Sequence, residues 1–115
     1  MIIDGQIVSL VVAWPTRVPW LVEFGTVFTL RDHRGNGYWR KLWNELEWKQ
    51  SPNTGIVTVT KIESVIRFVE GKRWREVLGN ERQTIQIDRE DPNLGDRRIF
   101  LRPLEEPSGG FAFSA

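Results

Sequence analysis

Cysteine is missing from the 115 residues, and histidine, methionine and tyrosine occur once each. Without thiols the chain can form no disulfide, no thiolate metal site and no cysteine nucleophile. The same lack suits a reducing, cytoplasmic setting. Long apolar runs are missing too. The longest, Ile7–Trp14 (IVSLVVAW), falls far short of the ~20 residues that a membrane-spanning helix needs. The opening MIIDGQ lacks the basic stretch of a secretory signal. A soluble, unexported chain with no membrane partner is expected.

Excess charge of either sign is also wanting. Sixteen basic against fifteen acidic residues leave a formal net charge of +1, too little to build a long-range field for a polyanion. Arginine outnumbers lysine twelve to four, which favours bidentate and stacking contacts over bulk charge.

Catalytic patterns are scarce for the same reasons. His33 stands in the turn string Arg31-Asp32-His33-Arg34, where the neighbouring Asp32 is badly placed to orient it, and a solvated role is expected. None of the serines lies in a G-x-S-x-G elbow. Asp88, Glu90, Asp91, Asn93 and Asp96 form an oxygen-rich loop. Pro92 and Gly95 sit at the wrong places for a calcium loop, and Arg89, Arg97 and Arg98 neutralise it. Gly35-Asn36-Gly37 precedes a helical pattern without the lysine and spacing of a phosphate loop. Its backbone N–H groups can still hold an anion at a helix start. No cofactor is expected from these patterns.

What the chain does have is tryptophan, six in all, three of them between Trp39 and Trp48. At 100° per residue Tyr38, Trp39, Leu42, Trp43 and Leu46 share one arc. The spacing predicts an amphipathic helix over about 37–47, with Trp39 and Trp43 buried and Trp48 facing away from the apolar arc. Strands are predicted at Gln6–Trp14, Leu21–Arg31, Ile56–Val69, Thr84–Asp88 and Arg97–Leu104, with a bend or split near Glu63–Ser64 and a bulge or close approach at Gly25. Pro15 and Pro19 break the chain between the first two. Lys72–Leu78 reads as a short helix closed by Gly79-Asn80, and a strand fits nearly as well. The expected fold is α+β. It is a small, strongly twisted, mainly antiparallel sheet or partly open barrel of five or six strands, with the 37–47 helix packed on it and a second short helix at 72–78. One globular domain over 1–104 and a flexible tail over 105–115 are expected.

With no catalytic constellation in view, binding is the function left. The residues suited to it are Arg34, Arg40, Lys41 and Trp48, then Lys72, Arg73, Trp74 and Arg75, since Arg and Trp dominate interface energetics. Phe111 and Phe113 in the tail would share one side of an added strand. Trp74 reads more readily as a core residue ringed by snorkelling cations. The expectation is a non-catalytic interaction protein (an accessory subunit, an adaptor or a small viral or mobile-element protein) that binds a protein partner or a second copy of itself. A small nucleic-acid-binding domain using the same residues is the alternative, and a small enzyme ranks third.

Overall fold

The computed structural model describes residues 1–88 and 95–104. Among these residues the fold is α+β: three helices, a five-stranded mixed sheet and a two-stranded ribbon, with no closed barrel. The tail over 105–115, with Phe111 and Phe113, lies outside the described residues, as do Glu90, Asp91 and Asn93 of the acidic loop. Among the described residues no helix is long and apolar enough to cross a membrane.

Strands β1 (Ile2–Ile3) and β2 (Gln6–Ile7) form the ribbon. The long strands β3 (Ser9–Pro15) and β4 (Leu21–Thr29) pair antiparallel. Helix α1 (Tyr38–Trp48) then carries the chain back to β5 (Gly55–Thr60), which lies parallel to β4. A parallel neighbour demands such a crossover, and here the tryptophan helix supplies it. Helix α2 (Glu63–Gly71), strand β6 (Arg75–Glu76), helix α3 (Gly79–Asp88) and strand β7 (Arg98–Leu101) follow, giving the order β3-β4-β5-β7-β6.

Three predicted elements are corrected. The stretch predicted as a single strand over 56–69 is strand β5 followed by helix α2. Thr60 Oγ1 accepts from the Ile62 N–H at 3.0 Å and turns the chain. Val65, Ile66 and Val69 then bury one helical face, so tertiary burial outweighs their β-branched preference. Residues 72–78 are not a helix. Helix α2 ends with Arg73 in the left-handed region (φ 63), while the N–H of Arg73 bonds Glu70 O and that of Trp74 bonds Val69 O. This Schellman closure normally uses glycine. It sends the chain straight into β6, which pairs with β7 at Arg75↔Leu101 and Glu76↔Phe100. Residues 84–88 are the end of α3 rather than a strand, with Ile85 buried against Val57, Val77 and Ile99.

The apolar residues sort onto two faces of the sheet. Phe24, Ile56 and Phe100, with Val22 partly buried, meet α1 and α2 on one face; Leu21, Val57 and Ile99 meet α3 on the other. Trp43 is fully buried at the centre of the first face. Its ring centroid lies 5.2 Å from that of Phe24, 5.8 Å from Phe68 and 5.6 Å from Trp74. Trp39 is partly buried beside it and Trp48 is 88% exposed, as the helical arc predicts.

Candidate functional site

The site begins where two strands separate. The parallel ladder between β4 and β5 covers only Leu21↔Gly55, Val22↔Ile56 and Glu23↔Val57. Beyond it the buried Thr58 hydroxyl donates to Phe24 O at 2.8 Å, a last link across the opening. From Gly25 onward β4 continues to Thr29 with β3 as its sole described strand partner. The edge turned towards β5 therefore offers main-chain groups that an extended ligand could pair with.

Within that stretch the register slips by one residue. Leu10 faces Phe28 while Val12 faces Gly25, so two residues, Thr26 and Val27, oppose Val11 alone. Thr26 takes a left-handed φ of 51°, which is rare for a β-branched residue. Bulges re-aim side chains and end pairing, and strain of this kind persists where surrounding structure enforces it. The sequence expectation put the irregularity at Gly25, one residue early.

At the far end of β4 the chain runs through the short 3-10 turn Arg31–His33 into the loop Arg34–Gly37. Gly35 (φ 85) and Gly37 (φ 73) adopt conformations that side chains resist, and Gly37 is the N-cap of α1. No side chain caps the helix, and its first internal bond runs from Lys41 N to Gly37 O. The N–H groups of Tyr38, Trp39 and Arg40 thus face out of the helix start, where the helix dipole favours an anion. Arg34 Nε donates to Thr29 O at 3.1 Å, tying this loop to the end of β4.

A cleft of about 410 Å³ joins these parts. Val27–Thr29 of β4 form one wall, the Arg34–Gly37 loop and the first turn of α1 close one end, and Ile62, Ser64 and Val65 at the start of α2 form the other wall. A second cleft, of about 500 Å³, adjoins the same bulge and is lined by Trp14, Glu23, Gly25, Thr26, Val59 and Arg97 among others. Glu23 and Gly25 alternate with Phe24 and share Leu21's side of the sheet, so the two clefts open on opposite faces.

The residues singled out in the sequence divide among several places. Arg34 and Arg40 line the cleft at the start of α1, where the Arg40 guanidinium stacks over Trp39 at 4.5 Å. Lys41 is exposed on the next position of α1. Trp48 and Lys72 border a larger cleft of about 660 Å³ near the other end of that helix. Its size does not make it the better site for an anion, because it lies at the C-terminal end of α1, where the helix dipole is negative. Lys72 pairs with Glu47 at 3.3 Å, and Arg102 donates to Ser51 O and Thr54 O. Arg73 is exposed, and Arg75 is clamped to Glu81 by two bonds of 2.9 and 3.0 Å. Trp74 is 5% exposed and belongs to the core. Sequence reading missed Trp14, Glu23, Thr26 and the first turn of α2. The glycine pair between a strand and a helix was the one signal pointing there.

No family model and no curated protein matches the sequence. Solved structures do match. N-acetylglutamate synthase from Neisseria gonorrhoeae, complexed with coenzyme A and N-acetyl-glutamate, superposes with a TM-score of 0.61 at 13% identity, over 90% of this chain and 24% of that one. A putative N-acetyltransferase from Lactobacillus plantarum gives 0.59 at 20% identity, over 85% and 61%. The protein Rv2747 from Mycobacterium tuberculosis, in complex with CoA and a second ligand, gives 0.64 at 16%, over 89% and 70%. The chain shares the fold of these three proteins. It spans less than two thirds of the length of the first two of these proteins.

This likeness overturns the expectation of a non-catalytic interaction protein acting on a protein partner through Arg/Trp patches. That expectation rested on the lack of a linear catalytic motif. Main-chain groups such as those at the β4 edge and the start of α1 leave no linear motif of that kind.

Proposed function

We propose that this chain is an acyltransferase domain that binds a coenzyme A thioester in the 410 Å³ cleft and passes the acyl group to an amine. The observation that carries the reading is the separation of β4 from β5 after Glu23↔Val57, with the Gly35–Gly37 start of α1 at the mouth of the opening. Two of the structural matches hold coenzyme A, which supports it.

The residues present fit such a ligand. The N–H groups that open α1, with Arg34 and Arg40 beside them, suit a diphosphate. The β4 edge over Gly25–Thr29 suits the amide groups of an extended arm, as an added strand would. Acyl transfer from a thioester asks chiefly for positioning and for donors aimed at the carbonyl oxygen, so a site built from backbone suffices. The lack of cysteine agrees with a cytoplasmic setting for this reaction.

Titration calorimetry with coenzyme A and acetyl-coenzyme A tests the reading. Saturable binding is expected, weakened at least tenfold by Arg34→Gln combined with Gly37→Val. Since the protein has no thiol of its own, release of coenzyme A can be followed with a thiol reagent free of protein background. Absence of binding at millimolar ligand would refute the proposal.

A further inference from the structure

The cleft on the opposite face of the sheet is the one the acyl-donor site leaves unexplained. Thr26 borders it while Val27, the next residue, borders the donor cleft, so the two meet at the bulge. Around Gly25 two groups converge. A Cβ built there would lie 3.5 Å from Glu23 Oε2 and 3.6 Å from Trp14 Cδ1, so a carboxylate and an indole flank one point of the sheet surface. The indole is held in place, because Trp14 Nε1 donates to Thr26 Oγ1 at 3.1 Å. Arg97, an exposed residue with a guanidinium to offer, also lines this cleft. A carboxylate beside an aromatic ring suits an alkylammonium, and a guanidinium suits a carboxylate in bidentate geometry. At about 500 Å³ the space is of the size that small-molecule sites occupy.

We infer that this cleft is the acceptor site and that it takes a small zwitterion of the amino-acid type, with its amine towards Glu23 and its carboxylate towards Arg97. The inference rests on the acyltransferase reading above. A carboxylate has room for several donors, so Glu23 can receive the ammonium alongside a partner within the protein. In the reaction the ammonium first gives up a proton. Its nitrogen then forms a bond to the thioester carbonyl carbon, the carbon–sulfur bond breaks, and the departing thiolate takes a proton. The products are an amide, coenzyme A and one proton released. Trp14 and Arg97 act as specificity residues, and Glu23 orients the amine at the bulge.

The test uses acetyl-coenzyme A and a panel of amino acids, each beside its decarboxylated amine and its carboxamide, with coenzyme A affinity measured in parallel. At least a tenfold preference in kcat/KM for the carboxylate-bearing member is expected. Arg97→Gln should erase that preference by raising KM, while Glu23→Gln should lower turnover of every acceptor. Both variants should keep wild-type affinity for coenzyme A, which also reports that they fold. Equal or faster turnover of the decarboxylated amines overturns the inference, as does a preference that survives Arg97→Gln. Coenzyme A binding with no acetylation anywhere in the panel overturns it while sparing the donor site. Loss of coenzyme A binding in the wild type removes both.

Discussion

The indole N–H of Trp14 donates to the hydroxyl of Thr26, 3.1 Å away, and so ties strand β3 to the bulge at which the two clefts meet. Thr26 holds a left-handed φ of 51° there. For such a residue the backbone costs about 1–3 kcal/mol. Thr26→Gly relieves that strain, offset by about 0.5–1 kcal/mol from the greater freedom of glycine in the unfolded chain. Thr26→Val keeps the strain and removes the acceptor. Chemical denaturation should place the glycine variant above the valine variant by about 1 kcal/mol. The reverse order would show that the bulge conformation is unstrained.

The second expectation concerns Arg73, which closes α2 with φ 63 and accepts a conformation that glycine adopts freely. Its side chain is exposed. Arg73→Gly should raise stability by about 0.5–1 kcal/mol, the strain relieved less the entropy glycine adds to the unfolded state. A lower denaturation midpoint would mean that the arginine makes a stabilising contact outweighing its backbone.

Trp43 and Trp48 lie on one helix in opposite environments, 0% and 88% exposed. Trp43→Ala removes a ring packed edge-on against Phe24, Trp39 and Phe68 and should cost about 3–5 kcal/mol. Trp48→Ala should stay within about 0.5 kcal/mol of wild type. Comparable losses from the two substitutions would contradict the burial of one helix face.

A pH dependence follows from Glu76. Its carboxyl accepts two bonds from Arg98, at 2.9 and 2.7 Å, and these hold it below the ordinary glutamate range. Because the folded state keeps this group ionised to lower pH, its contribution is present above the unfolded-state value. That contribution is lost as acid is added through the folded one. Glu76→Gln should therefore be less stable than wild type at neutral pH, and the gap should close in strong acid. Urea titrations at both conditions check this, and a gap that persists in acid would place the effect outside ionisation. Arg75 lowers Glu81 in the same direction, but that pair is more exposed, so a smaller gap is expected.

Local pattern alone determined a good part of this protein. The 3.6-residue spacing of Tyr38, Trp39, Leu42, Trp43 and Leu46 places α1, buries Trp43 and leaves Trp48 in water. The glycines at 35 and 37 mark the anion-ready start of that helix, since a positive φ is readable from residue type. Propensity misled at residues 63–69, where Val65, Ile66 and Val69 read as a strand. They form a helix because that alone carries all three against Trp43, Trp74 and Phe24 on the same face of the sheet. The cleft at the start of α1 was decided only in three dimensions. It exists because β4 and β5 pair for three residues and then part, and nothing in either strand's composition records where its neighbour leaves. Glu23 and Arg97 are remote in sequence, and only β4 and the approach to β7 bring them to one cleft. Periodicity reports how a segment meets its surroundings, whereas a site of this kind is made by which segments become those surroundings.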